Sequence, residues 1–237
     1  MKIKVCGMRK GENIRQVAAL GVDYIGMIFY AESPRFVTMI PTHAGIIPDK
    51  AAPTSLPETA DVDGRPAVKT VGVFVDEMPQ NIITRVVNFG LDVIQLHGSE
   101  SPTLIRNLRA TIDPDLHRGI QIWKTIHIPD SNDRTVWHEA IATCQEYDSC
   151  VDAFLFDTVT PQKGGSGRHF DWCVLDDYTG GKPFMLSGGI GPDDIRSIRE
   201  FQHPKFMGID LNSLFETEPG VKDVEKLKQF LQQLRTI

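Results

Sequence analysis

Short apolar runs alternate with amphipathic stretches along nearly the whole chain. Ile3–Cys6, Tyr24–Phe29, Val68–Val75, Val93–Leu96, Ile120–Ile126, Ala153–Phe156, Phe184–Leu186 and Phe206–Leu211 are rich in Val, Ile, Phe and Leu, and read as strands. Glu12–Leu20, Pro79–Phe89, Pro102–Ala110, Val136–Tyr147, Trp172–Tyr178, Pro192–Phe201 and Val221–Leu234 carry helical spacing and read as helices. Strands that are apolar on both sides belong to a parallel sheet covered by its own crossover helices. Eight of them fit a closed (β/α)8 barrel, the TIM barrel, which typically takes about 250 residues; the chain has 237. An open doubly wound sheet is the competing architecture. The barrel is favoured because no GxGxxG follows the first strand, where the chain reads Cys6-Gly7-Met8-Arg9-Lys10-Gly11. Polar residues also recur at the C-terminal ends of the strands, where a barrel places its chemistry. One stretch breaks the rhythm. Pro41, Pro48, Pro53, Pro57 and Pro66 punctuate it, so 40–67 is expected to hold at most a short helix in a long loop, inserted in a single domain spanning 1–237.

Composition narrows the classes. A hydrophobic share of 41% is too high for a disordered chain. A net charge of −6 argues against a nucleic-acid or anionic-membrane surface, though it leaves a local basic pocket open. No uninterrupted apolar stretch reaches the roughly 20 residues that span a bilayer. The chain opens directly on a strand-like run, so no signal peptide is expected. Cys6, Cys144, Cys150 and Cys173 show neither CxxC nor zinc-ligand spacing and read as free thiols of a cytoplasmic protein. No metal site is expected.

The candidate chemistry gathers at strand ends. Leu186-Ser187-Gly188-Gly189-Ile190 runs into Gly191-Pro192 and a helix start, the pattern of a phosphate cradle after a seventh barrel strand. Asp210-Leu211-Asn212-Ser213 closes the eighth strand and would supply its other half. Asp157 emerges from Ala153–Phe156 into the mouth. Partial burial there would raise its pKa and suit it to general-acid work; a capping role is the plainer use of an Asp. Gly164-Gly165-Ser166-Gly167 reads as a mobile lid or a second phosphate contact. Cys6 ends the first strand, where a thiolate could abstract a proton; a lone Cys is otherwise a small buried hydrophobe. Cys144, Cys150 and Cys173 lie in or near helices and read as structural. Arg35, after Pro34, offers a guanidinium fork to a carboxylate or is a solvated surface residue. Gln95 and His97 end the fourth strand, with His97 either supporting a neighbouring group or carrying a proton.

These residues, taken in order, resemble the phosphoribosylanthranilate isomerase family of tryptophan biosynthesis. The likeness runs through Lys4-Val5-Cys6-Gly7-Met8, Phe29 to Arg35, Val71-Gly72-Val73-Phe74-Val75, Gln95-Leu96-His97-Gly98, Phe156-Asp157-Thr158, Gly164–Gly167 with Phe170-Asp171-Trp172, Leu186–Gly189, Gly208-Ile209-Asp210 and Pro219–Asp223. The resemblance implies a (β/α)8 barrel and an Amadori rearrangement of N-(5-phosphoribosyl)anthranilate to 1-(2-carboxyphenylamino)-1-deoxyribulose 5-phosphate, without cofactor or metal. It implies Cys6 as general base, Asp157 as general acid and Arg35 as holder of the anthranilate carboxylate. Gly188 and Gly189, with the backbone around Asn212 and Ser213, would form the phosphate site, with Gly165, Ser187 and Asp210 on the same side. The partner is a small phosphorylated molecule; association with other enzymes of the pathway is left open. The chain departs from the family where small residues and a glycine, D-V-S-S-G, usually follow the last strand. Here Asn212, Ser213 and Leu214 stand there.

Two other readings compete. A barrel isomerase of histidine biosynthesis would carry an aspartate in place of Cys6 and twin phosphate sites from half-barrel repetition, and no clear half repeat is present. A non-enzymatic phosphate-ligand sensor would keep the glycine cradle but tolerate loss of Cys6 or Asp157.

Overall fold

A computed structural model describes residues 1–42, 45–48, 67–129, 131, 133–159 and 170–236. The elements in chain order are β1 (Lys2–Val5), α1 (Gly11–Ala18), β2 (Tyr24–Ile28), β3 (Met39–Thr42), β4 (Gly45–Pro48), β5 (Lys69–Phe74), α2 (Pro79–Phe89), β6 (Val93–Leu96), α3 (Pro102–Ile112), β7 (Gln121–Pro129), α4 (Arg134–Ala142), α5 (Cys144–Tyr147), β8 (Ala153–Val159), β9 (Phe184–Leu186), α6 (Ile195–Glu200), β10 (Phe206–Leu211), β11 (Glu216–Glu218), β12 (Val221–Lys222) and α7 (Val224–Arg235). Eight parallel strands close into a barrel in the order β1-β10-β9-β8-β7-β6-β5-β2. The fold is a (β/α)8 barrel. All eight expected strands are in it. No helix among the described residues is long and apolar enough to cross a membrane.

The period of two along each strand sorts side chains between two cores. Tyr24, Val71, Val93, Trp123, Ala153, Leu155 and Met185 point inward and pack inside the barrel. Ile25, Phe74, Ile94, Ile122, Phe154, Phe156 and Leu186 point outward against the helices. Helix ends follow local chemistry. Pro79 opens α2 and Gly90, at φ 57°, closes it. The Ser101 side chain accepts from Leu104 N at the start of α3.

Five local expectations need correction. The Pro-rich stretch does not open on loop alone: β3 and β4 form an antiparallel ribbon with Pro41 opposite Ile46 and Pro48 opposite Met39. A two-stranded ribbon consists of edges, where a missing N–H is tolerated. The rest of that stretch, and the Gly164–Gly167 cluster with Gly165, lie outside the described residues. Val221–Lys222 is strand rather than helix, pairing with β11; α7 starts after Asp223, whose carboxylate accepts from Lys226 N. Trp172–Asp177 is a 3-10 turn, and so is Pro192–Asp194 ahead of the six-residue α6. The expected helix over 136–147 is broken at Thr143 into α4 and α5.

Candidate active site

Strand parity assembles the mouth. Lys4 pairs with Tyr24 and Asp210, so Lys4, Cys6, Asp210 and Asn212 follow Tyr24 to the inside. His127 pairs with Asp157, continuing the inward series Trp123, Thr125 and Ala153, Leu155. Gln95 pairs with Trp123, and His97 follows it. Cys6 and Asp157 therefore open on the same C-terminal mouth. β8 is the third strand round from β1, with β9 and β10 between, one short of diametrically opposite.

On the β1 side the groups are deeply buried. Cys6 is 4% exposed and donates its N–H to the Leu211 carbonyl at 2.8 Å. Beneath it, Lys4 Nζ meets Asp210 Oδ2 at 2.7 Å, both buried. Burial pushes the Cys6 thiol up; Lys4 and Lys222 pull it down without overcoming that cost. Burial works against the Lys4 charge, but Asp210 and Cys6 hold it above its ordinary range. Asp210 was expected on the phosphate side. It instead supports the floor under Cys6, where burial pushes its carboxyl up and Oδ1 has no hydrogen-bond partner.

The β6–β8 side is more open, and its electrostatics correct the expectation for Asp157. His97 Nε2 lies 3.2 Å from Asp157 Oδ2, with side chains 28% and 19% exposed. Burial would raise the Asp157 carboxyl, but His97, His127 and the Ser187 hydroxyl hold it below its ordinary value. Ser187 thus faces Asp157 as well as the cradle. His127 Nε2 sits 3.0 Å from the His97 carbonyl oxygen, and the two rings meet edge to face at 4.7 Å. Burial lowers the pKa of His127, and His97 lowers it further. Gln95 is buried and donates to Thr125 Oγ1 at 3.1 Å, inside the barrel rather than at its mouth.

Arg35 reaches the mouth already paired. Its Nε lies 2.9 Å from Glu216 Oε1 and its Nη2 lies 2.6 Å from Oε2. Lys222 Nζ donates to the same Oε1 at 2.6 Å and to Asn212 Oδ1 at 2.8 Å. The β11–β12 hairpin places Glu216 opposite Lys222, which builds this network. Gly7, at φ 71°, is required here: a Cβ on it would lie 2.6 Å from both Arg35 Cδ and Asn212 Oδ1.

The cradle glycines Gly188 and Gly189 take φ 85° and 71°. A Cβ on Gly188 would lie 2.6 Å from Thr158 N and 2.9 Å from Asp157 Oδ1, so the cradle and the acid share one wall. The expected helix start beyond them is not open to an anion at Gly191, because Asp194 Oδ2 accepts from Gly191 N at 2.7 Å. Asn212 and Ser213 lead into a 3-10 turn, Ser213–Phe215. Leu214 fits there without left-handed backbone, its Cδ1 lying over Gly191, which has no side chain in the way. Cys144 and Cys150 are buried, and burial pushes the Cys144 thiol up to about 12. Cys173, expected to be structural, is exposed.

Lys4, His127, Glu216 and Lys222 carry no role in the sequence reading. His127 is legible as the next member of the inward series, two residues beyond Thr125 and four beyond Trp123, once the strand is carried past Ile126.

Fold and site together are those of a (β/α)8 barrel that gathers titratable side chains at the C-terminal mouth. Residues 3–233 match the family model described as N-(5'phosphoribosyl)anthranilate (PRA) isomerase. The N-(5'-phosphoribosyl)anthranilate isomerase of Parabacteroides distasonis is 43% identical, over 99% of this chain and 93% of the relative. That of Phocaeicola vulgatus is 37% identical, over 99% and 98%. Among solved structures, the phosphoribosyl anthranilate isomerase of Thermotoga maritima superposes with a TM-score of 0.71 at 27% identity, covering 100% of both chains. Another, in complex with reduced 1-(o-carboxyphenylamino)-1-deoxyribulose 5-phosphate, gives 0.69 at 25% identity, again over 100% of both. The chain belongs to the N-(5'-phosphoribosyl)anthranilate isomerase family and is an isomerase of tryptophan biosynthesis.

Proposed function

We propose that the chain carries out the Amadori rearrangement of N-(5-phosphoribosyl)anthranilate with Cys6 as base and the Asp157–His97 pair as acid. The observation that carries this reading is the arrival of both groups at one C-terminal mouth, Cys6 just after β1 and Asp157 on β8 of the same barrel. An acid protonates the furanose ring oxygen, and the ring opens to an iminium ion. A base then takes the proton from sugar C2, and the enolamine tautomerises to the ketone. Neighbouring groups hold the Asp157 carboxyl below its ordinary value, and His97 Nε2, 3.2 Å from Oδ2, is placed to pass a proton through it to the ring oxygen. Cys6 rests as a thiol, and Lys4 and Lys222 stabilise the thiolate it becomes.

Backbone N–H groups around Gly188, Gly189, Asn212 and Ser213 suit the phosphate at one end of the substrate. Arg35 suits the anthranilate carboxylate at the other, through the guanidinium edge that Glu216 leaves uncovered. Holding both ends fixes C2 and the ring oxygen against base and acid. The cytoplasm, where thiols stay reduced, is the compartment this chemistry fits.

The test is direct. Purified protein is mixed with freshly generated phosphoribosylanthranilate, and the loss of anthranilate-type fluorescence is followed. Turnover that vanishes in Cys6→Ser and in Asp157→Asn is expected. Turnover that survives in either variant removes that residue from its role.

A further inference from the structure

We propose that His97, His127 and Asp157 form a site for a divalent transition-metal ion of the zinc type, and that such an ion inhibits the enzyme by taking over its acid. Three adjacent strands, β6, β7 and β8, lead one donor each to the same corner of the mouth. All three donor atoms lie within 4.8 Å of one another. Two imidazoles and a carboxylate are a donor set that zinc accepts, with a fourth position left to solvent. Zinc–ligand bonds of about 2.0–2.1 Å imply roughly 3.3 Å between donors of a tetrahedral site. His97 Nε2 and Asp157 Oδ2 already stand 3.2 Å apart. Bringing the widest separation to that edge takes a side-chain adjustment of roughly 1.5 Å.

The surroundings favour an ion. The His127 ring is held by its contact with the His97 carbonyl oxygen, the kind of hydrogen bond that orients metal-binding histidines. Lys124, on the same strand as His127, has its Nζ engaged elsewhere, donating to the Gly98 carbonyl at 2.6 Å and lying 3.3 Å from Glu100 Oε2. His97 and Asp157 are partly exposed, so the corner is reachable from the mouth. The ion takes the Asp157 oxygen that faces His97, and any proton it displaces there leaves to solvent. An Asp157 oxygen bonded to the ion no longer delivers a proton to the sugar ring.

The inhibition rests on the proposed roles; the binding does not, and the experiment separates them. Metal-free enzyme is titrated with ZnCl2 while turnover is followed, and with CoCl2 while the visible spectrum is recorded. Saturable loss of turnover that EDTA reverses is expected, with cobalt d–d bands and no thiolate-to-cobalt band. His127→Gln should weaken zinc by more than the roughly 10–100-fold that loss of an outer hydrogen-bond partner costs. Cys173→Ser, which removes the exposed thiol, should leave both turnover and zinc sensitivity unchanged. Cobalt bands without inhibition would keep the site and overturn the effect on the acid. Equal zinc sensitivity in His127→Gln, or a thiolate-to-cobalt band that disappears in Cys6→Ser, would overturn the site.

Discussion

The two groups proposed as base and acid stand on different flanks of one mouth, in contrasting surroundings. Cys6 sits over a buried ion pair and between two lysines, 4% exposed. Asp157 sits in a more open corner, its side chain 19% exposed, between two histidines. Burial acts in the same direction on both, since both are acids whose charged form loses hydration. The outcome is opposite because Asp210 reinforces burial at Cys6 against the pull of Lys4 and Lys222, whereas at Asp157 His97, His127 and Ser187 all act against burial. At Cys6 burial prevails and the thiol is pushed up. At Asp157 direct hydrogen bonds from His97 and Ser187, with the nearby histidines, prevail and the carboxyl is held down. At rest the Cys6 thiol therefore holds its proton more tightly than usual and Asp157 is held toward its carboxylate form.

The largest expected effect comes from removing either flank. Cys6→Ser and Asp157→Asn should each lower kcat by roughly a thousandfold or more. A much smaller loss in one of them would mean that its flank is not reactive, and the contrast would lose its meaning for catalysis. Next in size is the support under the thiol. Lys4→Met leaves Asp210 buried and unpaired, which should cost about 3–5 kcal/mol of stability in urea unfolding. Lys4→Met with Asp210→Leu removes both charges and should recover most of that loss. In the refolded double variant, alkylation of Cys6 by iodoacetamide should need a higher pH than in wild type, because losing the charge and hydrogen bond of Lys4, which pull the thiol down, outweighs losing Asp210, which pushes it up. An unchanged alkylation profile would show that the lysine does not act on the sulfur.

Arg35→Ala should act mainly on KM, raising it by about tenfold or more while kcat changes less. A KM equal to wild type would count against its grip on the carboxylate. The smallest effect concerns Glu216. Burial would raise its carboxyl, but Arg35 and Lys222 hold it below the ordinary 4.5. A depressed folded-state pKa stabilises the protein above the ordinary value and loses that contribution as pH falls through the folded value. Glu216→Gln has no such contribution to lose. Its stability between about pH 6 and pH 3 should therefore decline less steeply than that of wild type, as followed by urea unfolding.

Much of this was legible from residue order alone. The eight barrel strands are local apolar runs, and period-two parity carries Cys6, His97 and Asp157 from those runs to the inside of the mouth. The family resemblance in the sequence points to the same residues and the same activity. What the sequence left undecided depends on partners far away along the chain. Lys4 and Asp210 are 206 residues apart, and Arg35 and Glu216 are 181. Whether Val221–Lys222 continued a helix or turned back as a strand decided whether Lys222 would reach Glu216. The sign of the shift at Asp157 likewise depended on His97 first, and then on His127 and Ser187, all contributed by other parts of the barrel. Local patterning determined the barrel and which side chains point into it, because those follow from short-range periodicity. The charge state of each group was decided only by tertiary structure, because electrostatic neighbours are set by distance in space, not by distance in sequence.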